Sequence, residues 1–361
     1  MARGEASMNN AVSKVSRRSF LGGAASALAA PMVIRASRAA PNSNSLTFTG
    51  YGGSLQEIQI KTVMNPFTEE TGIKVNIIPA PDLARVKAQL LTGNVELDVF
   101  EGQSALTASG SKQGFWEKLD LSMFDLEDMA VKPTSDAVPY LLFAGGIAWD
   151  PKRFGPGKHP ANFSEYFDLV KFPGRRTFSN HPDATLEMAL LADGVSPKDI
   201  YPLDLDRAFK ALDRVKPSVA AWVNTTTQAV SLAQTGEVDF TYVAASNRIK
   251  ATNEPGGGVP LAFSFEQNVL GSETLTVLKG APNKQNAIKF IAYFLRPDVQ
   301  ARLMTALGLV PISKKAVPML PAETRKWQPD LKNPQSVFID AAYWADHLDA
   351  VSVRFKEWIL S

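Results

Sequence analysis

The sequence predicts an α/β fold in two lobes with a cleft between them, on three observations. Strand-like and helix-like patterns alternate from Ser45 onward, which favours α/β layers over a helical bundle or a sandwich. Each half of the chain carries the same local unit, a helix, a glycine stop and a strand ending in small polar residues. Ligands of open α/β sheets lie beyond the carboxyl ends of strands, so two such ends facing each other make a cleft. The length, 361 residues with 45% hydrophobic and 20% charged, suffices for two globular lobes.

The elements follow in order. Leu46-Thr47-Phe48-Thr49 is a short strand run that stops at Gly50-Tyr51-Gly52-Gly53. Ser54-Leu55-Gln56-Glu57 then reads as a capping box opening a helix that ends before Gly72. Ile73 to Ile78 alternates as a strand, and Asp82 to Leu91 suggests a helix closed by Gly93. The repeated unit is Ala88-Gln89-Leu90-Leu91-Thr92, Gly93, then Val95 to Phe100 leading into Glu101-Gly102-Gln103-Ser104. Its counterpart is Ser231-Leu232-Ala233-Gln234-Thr235, Gly236, then Val238 to Val243 leading into Ala244-Ala245-Ser246-Asn247. Asn286 to Leu295 is a helix halted by Pro297, and Pro297 to Leu307 is another, with proline at its start and Gly308 past its end. Glu323 to Trp327 and Pro334 to Leu360 read as helical with aromatic faces.

Composition excludes several functions. There is no cysteine, which removes thiol redox chemistry, cysteine nucleophiles and Cys-ligated metal centres. The formal charge of +2 is uneven: the first 39 residues hold Arg3, Lys14, Arg17, Arg18, Arg35 and Arg38 against Glu5 alone, so the remaining body is mildly acidic. Such a body offers no electrostatic footprint for nucleic acid. His159, His181 and His347 lie far apart with no metal-ligand spacing, and no serine sits in a G-x-S-x-G elbow. Gly256-Gly257-Gly258 is a turn and not a phosphate loop, since no Lys-Ser/Thr pair follows. No cofactor is indicated and the chain does not read as an enzyme.

The first segment is an export address. Ser16-Arg17-Arg18-Ser19-Phe20-Leu21 leads into an uncharged stretch to Ile34, too short to span a bilayer, in the twin-arginine pattern of bacterial export. Cleavage after Ser37-Arg38-Ala39 would remove residues 1–39 and leave a monomer in the periplasm, with the twin-arginine export machinery as a partner.

Four segments carry a family resemblance: Phe67-Thr68-Glu69-Glu70-Thr71-Gly72-Ile73-Lys74-Val75, Leu97-Asp98-Val99-Phe100, Gly146-Ile147-Ala148-Trp149-Asp150 and Phe290-Ile291-Ala292-Tyr293-Phe294-Leu295-Arg296-Pro297-Asp298-Val299. The chain resembles the extracellular solute-binding proteins of ABC importers, in the spermidine/putrescine-binding branch. The resemblance implies a two-lobed periplasmic binding protein of type II, with two α/β lobes joined by two crossing strands that close on a small molecule and dock on an inner-membrane permease. The crossings are expected near Phe143 to Trp149 and Thr274 to Leu278. Lobe 1 would comprise 40–145 plus 275–325 and lobe 2 residues 146–274, with 326–361 forming C-terminal helices packed on the lobes.

In that branch aromatic rings box an alkyl-ammonium chain and carboxylates hold its ends, by cation–π attraction and charge-assisted hydrogen bonds. Tyr51 stands at the aromatic position after the first strand and Glu273 at the acid of a Trp-x-Asp motif. Gly271 replaces that tryptophan, Ala244-Ala245-Ser246 replaces Trp-Asn-Gly, and the second-lobe acids fall on His181 and Ala184, leaving Asp183 as a displaced candidate. The remaining cleft is more polar, with Gln103, Ser104, Ser246 and Asn247 at strand ends and the amides of Gly53 and Ser54 at a helix start. That helix start favours a negative group and Glu273 a positive one, which suits an amino-acid-like zwitterion or a short amine. An anion or metal complex in the same fold, or an exported enzyme, are the alternatives. Trp222 either packs under a loop or faces the cleft, Glu273 either binds ligand or pairs with Arg248, Ser54 caps its helix, and Glu101 reads as solvated.

Overall fold

The computed structural model describes residues 44–79 and 81–361; the twin-arginine segment and its cleavage site lie outside them. Among the described residues eleven strands form one sheet: β1 Ser45–Gly50, β2 Lys74–Pro79, β3 Val99–Gln103, β4 Val138–Trp149, β5 Arg176–Ser179, β6 Val219–Val223, β7 Phe240–Val243, β8 Ala262–Phe263, β9 Val269–Val277, β10 Val310–Pro311 and β11 Val337–Phe338. The main order is β2-β1-β3-β9-β4-β7-β5-β6. Pairing is parallel for β2-β1-β3 and for β6-β5-β7, and antiparallel where β9 and β4 intervene. Helices cover the faces, giving two α/β lobes as the alternating pattern predicts.

The strand β4 is the longest and changes partner in mid-course. Residues 138–145 pair with β9, and residues 146–149 with β7. Gly145 and Gly146 mark the exchange because neighbouring side chains occupy the space of a Cβ there. One added at Gly145 would stand 2.1 Å from the Tyr242 hydroxyl oxygen, and one at Gly146 would stand 2.6 Å from Asn268 Nδ2 and from the Phe263 ring. Gly145→Ala is therefore expected to destabilise the fold by about 1–3 kcal/mol, the range of overpacking costs, because the buried Tyr242 ring must shift. A urea melt reads the loss, and an unchanged midpoint would remove the packing role.

Two large cores flank the sheet. In one, Phe48, Phe67 and Tyr140 meet Phe290 and Phe294 of the helix Lys284–Phe294 edge to face, with centroids 4.8–5.8 Å apart. In the other, Phe209 and Trp222 meet Phe355 and Trp358 of the C-terminal helix Ala341–Leu360, and Phe178 packs on Trp222. Several helix ends follow the sequence signals, whereas the helix expected from Pro334 begins only at Ala341, after the strand β11. Asp82 Oδ1 accepts the Ala84 amide at 2.8 Å to open Leu83–Thr92, and Gly93 closes that helix at φ 68°, a left-handed conformation that costs glycine little. The helix Pro297–Leu307 runs between its proline and Gly308.

The C-terminal helix is also tied by polar contacts. Glu187, fully buried, accepts the Trp344 indole N–H at 2.7 Å and the Tyr201 hydroxyl at 2.5 Å, while Tyr201 oxygen accepts the Asp340 amide. Burial pushes the Glu187 carboxyl up to about 7, against the pull of these donors. A carboxyl raised on folding holds a proton that the unfolded chain gives up, so its contribution falls as pH rises from about 4.5 to about 7. Relative to wild type, Glu187→Gln should thus gain about 2 kcal/mol between pH 5 and pH 8. Urea melts at the two pH values measure that change; a pH-independent difference would show that Glu187 does not titrate in the folded protein.

Candidate functional site

A cleft of about 610 Å³ opens where the carboxyl ends of β1, β3 and β7 converge, with β4 and β9 as its floor. It is continuous with a smaller chamber of about 300 Å³ through Gln103, Thr225, Thr226 and Ala244, which line both. His181 and Asn224 lie in the smaller chamber.

The floor is set by strand register. Glu273 pairs with Gln103 of β3 on one side and Leu141 of β4 on the other, and Phe143 pairs with Gly271. Side chains two apart on a strand share a face, so Leu141, Phe143, Glu273 and Gln103 all line the cleft. Gly271 is needed there because a Cβ would stand 2.3 Å from the Phe143 ring. That ring lies over the backbone where the polyamine-binding pattern has a tryptophan.

The electrostatic centre is Glu273. Tyr51, 40% exposed, turns its hydroxyl inward to donate to Glu273 Oε2 at 3.0 Å, and its oxygen accepts the Gln103 amide at 3.0 Å. Burial, with the neighbouring Glu101 charge, holds the Glu273 carboxyl well above the usual carboxylate range, and burial with both carboxylates drives the Tyr51 hydroxyl up. Glu101 corrects the solvated reading: it is 0% exposed, and it accepts Gln59 Nε2 at 2.5 Å and the Tyr140 hydroxyl. Its carboxyl is raised to about 7 by burial. Gln59 reaches it from the end of the helix Gly53–Gln59, just before a π-helical turn at Ile60–Met64, a widening often found at functional sites.

That helix start departs from the predicted capping box. Gly52 and Gly53 carry φ 77° and 59°, the helix begins at Gly53, and Gln56 Oε1 accepts the Gly52 amide at 3.1 Å. Ser54 therefore lies within the first turn, not at the cap, and lines the cleft.

Across from Glu273 the wall is basic and amide-rich. Arg248, in the helix Asn247–Thr252, lines the cleft and makes no ion pair among the described residues. Beside it the helix Thr226–Gln234 opens behind its cap Thr225, whose hydroxyl accepts the Gln228 amide at 3.2 Å. This leaves the first-turn amides of Thr226 and Thr227 at the cleft. Asn247 Nδ2 donates to Leu307 O at 2.9 Å, linking this wall to the opposite helix Pro297–Leu307.

The cleft thus gathers Ser54, Gln103, Asn247 and Glu273 from the sequence reading, with Tyr51 hydrogen-bonded to Glu273 and Gly53 at the helix start. It does not gather the others. Trp222 packs on Phe178, Phe355 and Trp358; Ser246 is buried with its amide on Ala144 O; Ser104 starts the helix Ser104–Lys112 beneath Gln103. Asp183 stands behind the smaller chamber beside His181, its carboxyl raised by burial. Sequence reasoning named Arg248 only as a structural partner for Glu273 and Glu101 only as solvated, and it missed Phe143 and Thr225 to Thr227 as cleft residues and Gln59 and Tyr140 as partners of Glu101. Only Thr225, followed three residues later by Gln228, offered a local signal as a capping box.

Known proteins match this architecture. Over 335 residues the chain is 30% identical to the gamma-aminobutyric acid-binding protein of Pseudomonas aeruginosa, covering 90% of this chain and 93% of that one. It is 24% identical over 313 residues to the spermidine/putrescine-binding periplasmic protein of Escherichia coli, covering 82% and 86%. Among solved structures it superposes on the Atu4243–GABA receptor with a TM-score of 0.81 at 32% identity, covering 87% and 97%. The binding protein AgtB of A. tumefaciens R10 in complex with agropinic acid gives 0.73 at 31% identity, covering 88% and 99%. Residues 62–335 match the model of the bacterial extracellular solute-binding proteins, and the chain belongs to that family.

Proposed function

We propose that the chain is the periplasmic solute-binding component of an ABC importer and captures a small amino-acid-like zwitterion, delivering it unaltered to an inner-membrane permease. The observation that carries this reading is an acid and a base facing each other across one cleft, neither ion-paired among the described residues. Glu273 with Tyr51 receives an ammonium on one wall, and Arg248 with the first amides of Thr226–Gln234 receives a carboxylate on the other. Phe143 offers its ring to the aliphatic segment between the two charges.

The relatives support the same class. Proteins named for gamma-aminobutyric acid and for spermidine and putrescine are both among them, as is a structure described as an ABC transporter substrate-binding protein from Bradyrhizobium japonicum at 31% identity. The identity is higher with the first named, and Gly271 with Ala244 and Ala245 leaves the cleft without the rings that line up along a polyamine. A short amine is the second reading, favoured by the two acids Glu273 and Glu254 on the cleft.

Export by the twin-arginine route, removal of residues 1–39 and a monomeric product belong to the same proposal. So do the lobe limits, 40–145 with 275–325 against 146–274, which take β4 and β9 as the crossing strands. Closure is driven only by contacts the ligand makes better in the closed form.

Titration calorimetry against 4-aminobutanoate, putrescine, spermidine and inorganic phosphate tests the reading, with mass spectrometry of the recovered compound. Saturable binding of 4-aminobutanoate, tighter than of spermidine and with the compound returned intact, is expected. Binding of phosphate alone, or recovery of a transformed compound, would replace this reading by the anion or enzyme alternatives.

A further inference from the structure

Two carboxyl groups are buried at the floor of the cleft, Glu273 lining it and Glu101 enclosed beneath, and neither has an ion-pair partner among the described residues. Glu101 lies two residues before Gln103 on β3, so it stands diagonal to Glu273 on the same sheet face. Both are buried, at 0% and 9% exposure. The groups facing them from each packed element are polar or acidic: Tyr51 after β1, Gln59 on its helix, Tyr140 on β4 and Gln103 on β3. Basic groups of the surrounding helices are otherwise placed. Arg302 donates to Thr62 O from the helix Pro297–Leu307, and Arg248 stands on the far wall beside Glu254.

The hydrogen bonds leave an imbalance. Glu101 Oε1 takes the Gln59 amide and the Tyr140 hydroxyl, while Glu101 Oε2 and Gln59 Oε1 are buried with no hydrogen-bond partner among the described residues. An enclosed acceptor without a donor is costly, and two like charges on one buried face cannot both be ionised cheaply. A proton resolves both problems, because it turns one carboxylate oxygen of the pair into a donor.

We propose that Glu101 and Glu273 form a proton-sharing pair that the ligand's ammonium discharges: the empty site keeps a proton on the pair, and the bound cation takes its place while the proton leaves to solvent. Glu101, which is fully enclosed, acts through Glu273 as a positioning residue that sets how many negative charges the site presents. The balance is one ammonium in and up to one proton out. Affinity for a cationic group therefore rises with pH until the empty pair has lost its proton, and is flat above that. The upward pressure of burial on both carboxyls agrees with this direction.

The inference rests on the placement of an ammonium at Glu273. Calorimetry with 4-aminobutanoate in phosphate and in Tris, whose ionisation enthalpies differ, counts protons released on binding. The expected result is release of up to one proton on binding and a tightening of up to about tenfold per pH unit below the plateau of the affinity profile. In Glu101→Gln the midpoint of the affinity profile should fall by about one pH unit, since Glu273 then ionises without a charged neighbour. A purely structural role for Glu101 would weaken or loosen the protein without moving that midpoint. No proton release, or the same midpoint in both proteins, overturns the pair. If neither 4-aminobutanoate nor putrescine binds, the proposed function fails, and the pair is read from thermal unfolding alone. A Tm difference between wild type and Glu101→Gln that changes from pH 5 to pH 8 in the variant's favour supports it, and a constant difference overturns it.

Discussion

Glu273→Gln should weaken binding of 4-aminobutanoate by about 2–5 kcal/mol, the range for losing one partner of an enclosed charge pair. Glu273 is 9% exposed and its carboxyl takes one hydrogen bond among the described residues, from Tyr51, so its remaining capacity is available to a ligand. Glutamine keeps the shape and can still accept from Tyr51, which makes the loss chiefly one of charge. The ligand's ammonium would then be taken out of water with no counterion, and that cost dominates the loss. Because Glu273 is the group that ionises on binding, the same substitution should also abolish proton release. Calorimetry on the high-pH plateau of the wild-type affinity profile isolates the charge effect from the proton. An affinity within threefold of wild type would place the ammonium elsewhere.

The fold was largely legible because its signals are local. Proline at position 297 and glycine at 308 bound a helix whatever packs on it, and Asp82 opens its helix through an amide two residues away. The site was less legible because its parts meet only through tertiary pairing. Glu101 looks solvated as an acid at a strand end, yet β3 lies between β1 and β9 and is covered on both faces, so a polar residue there need not face water. Its partners Gln59 and Tyr140 come from a helix and a strand on either side of it in sequence. Trp222 looked able to face the cleft, but the rings that enclose it belong to the C-terminal helix, and no neighbouring residue announces them. Arg248 carried no pattern at all. It is the second residue of a six-residue helix, and only the placement of that helix at the end of β7 turns it toward Glu273.

Arg248 also separates the two ligand classes that the cleft can accept. A zwitterion gains a charge-assisted hydrogen bond from the guanidinium, and a diamine meets repulsion from it. Arg248→Met, which keeps most of the apolar stem, should weaken 4-aminobutanoate by about 1.5–3 kcal/mol, the range for a hydrogen bond to a charged group. The smaller figure than for Glu273 reflects exposure, since Arg248 lies on the open wall and is shielded from water only on closure. Putrescine, whose second ammonium would lie near this wall, should bind the variant more tightly than wild type. The informative quantity is thus the ratio of the two affinities, which should shift by more than about tenfold toward the diamine. Added salt should shrink the shift in the ratio for the same electrostatic reason. Equal losses for both ligands would mean that Arg248 supports the wall without reading the carboxylate, and the anionic end of the ligand would then fall to the amides of Thr226 and Thr227 alone.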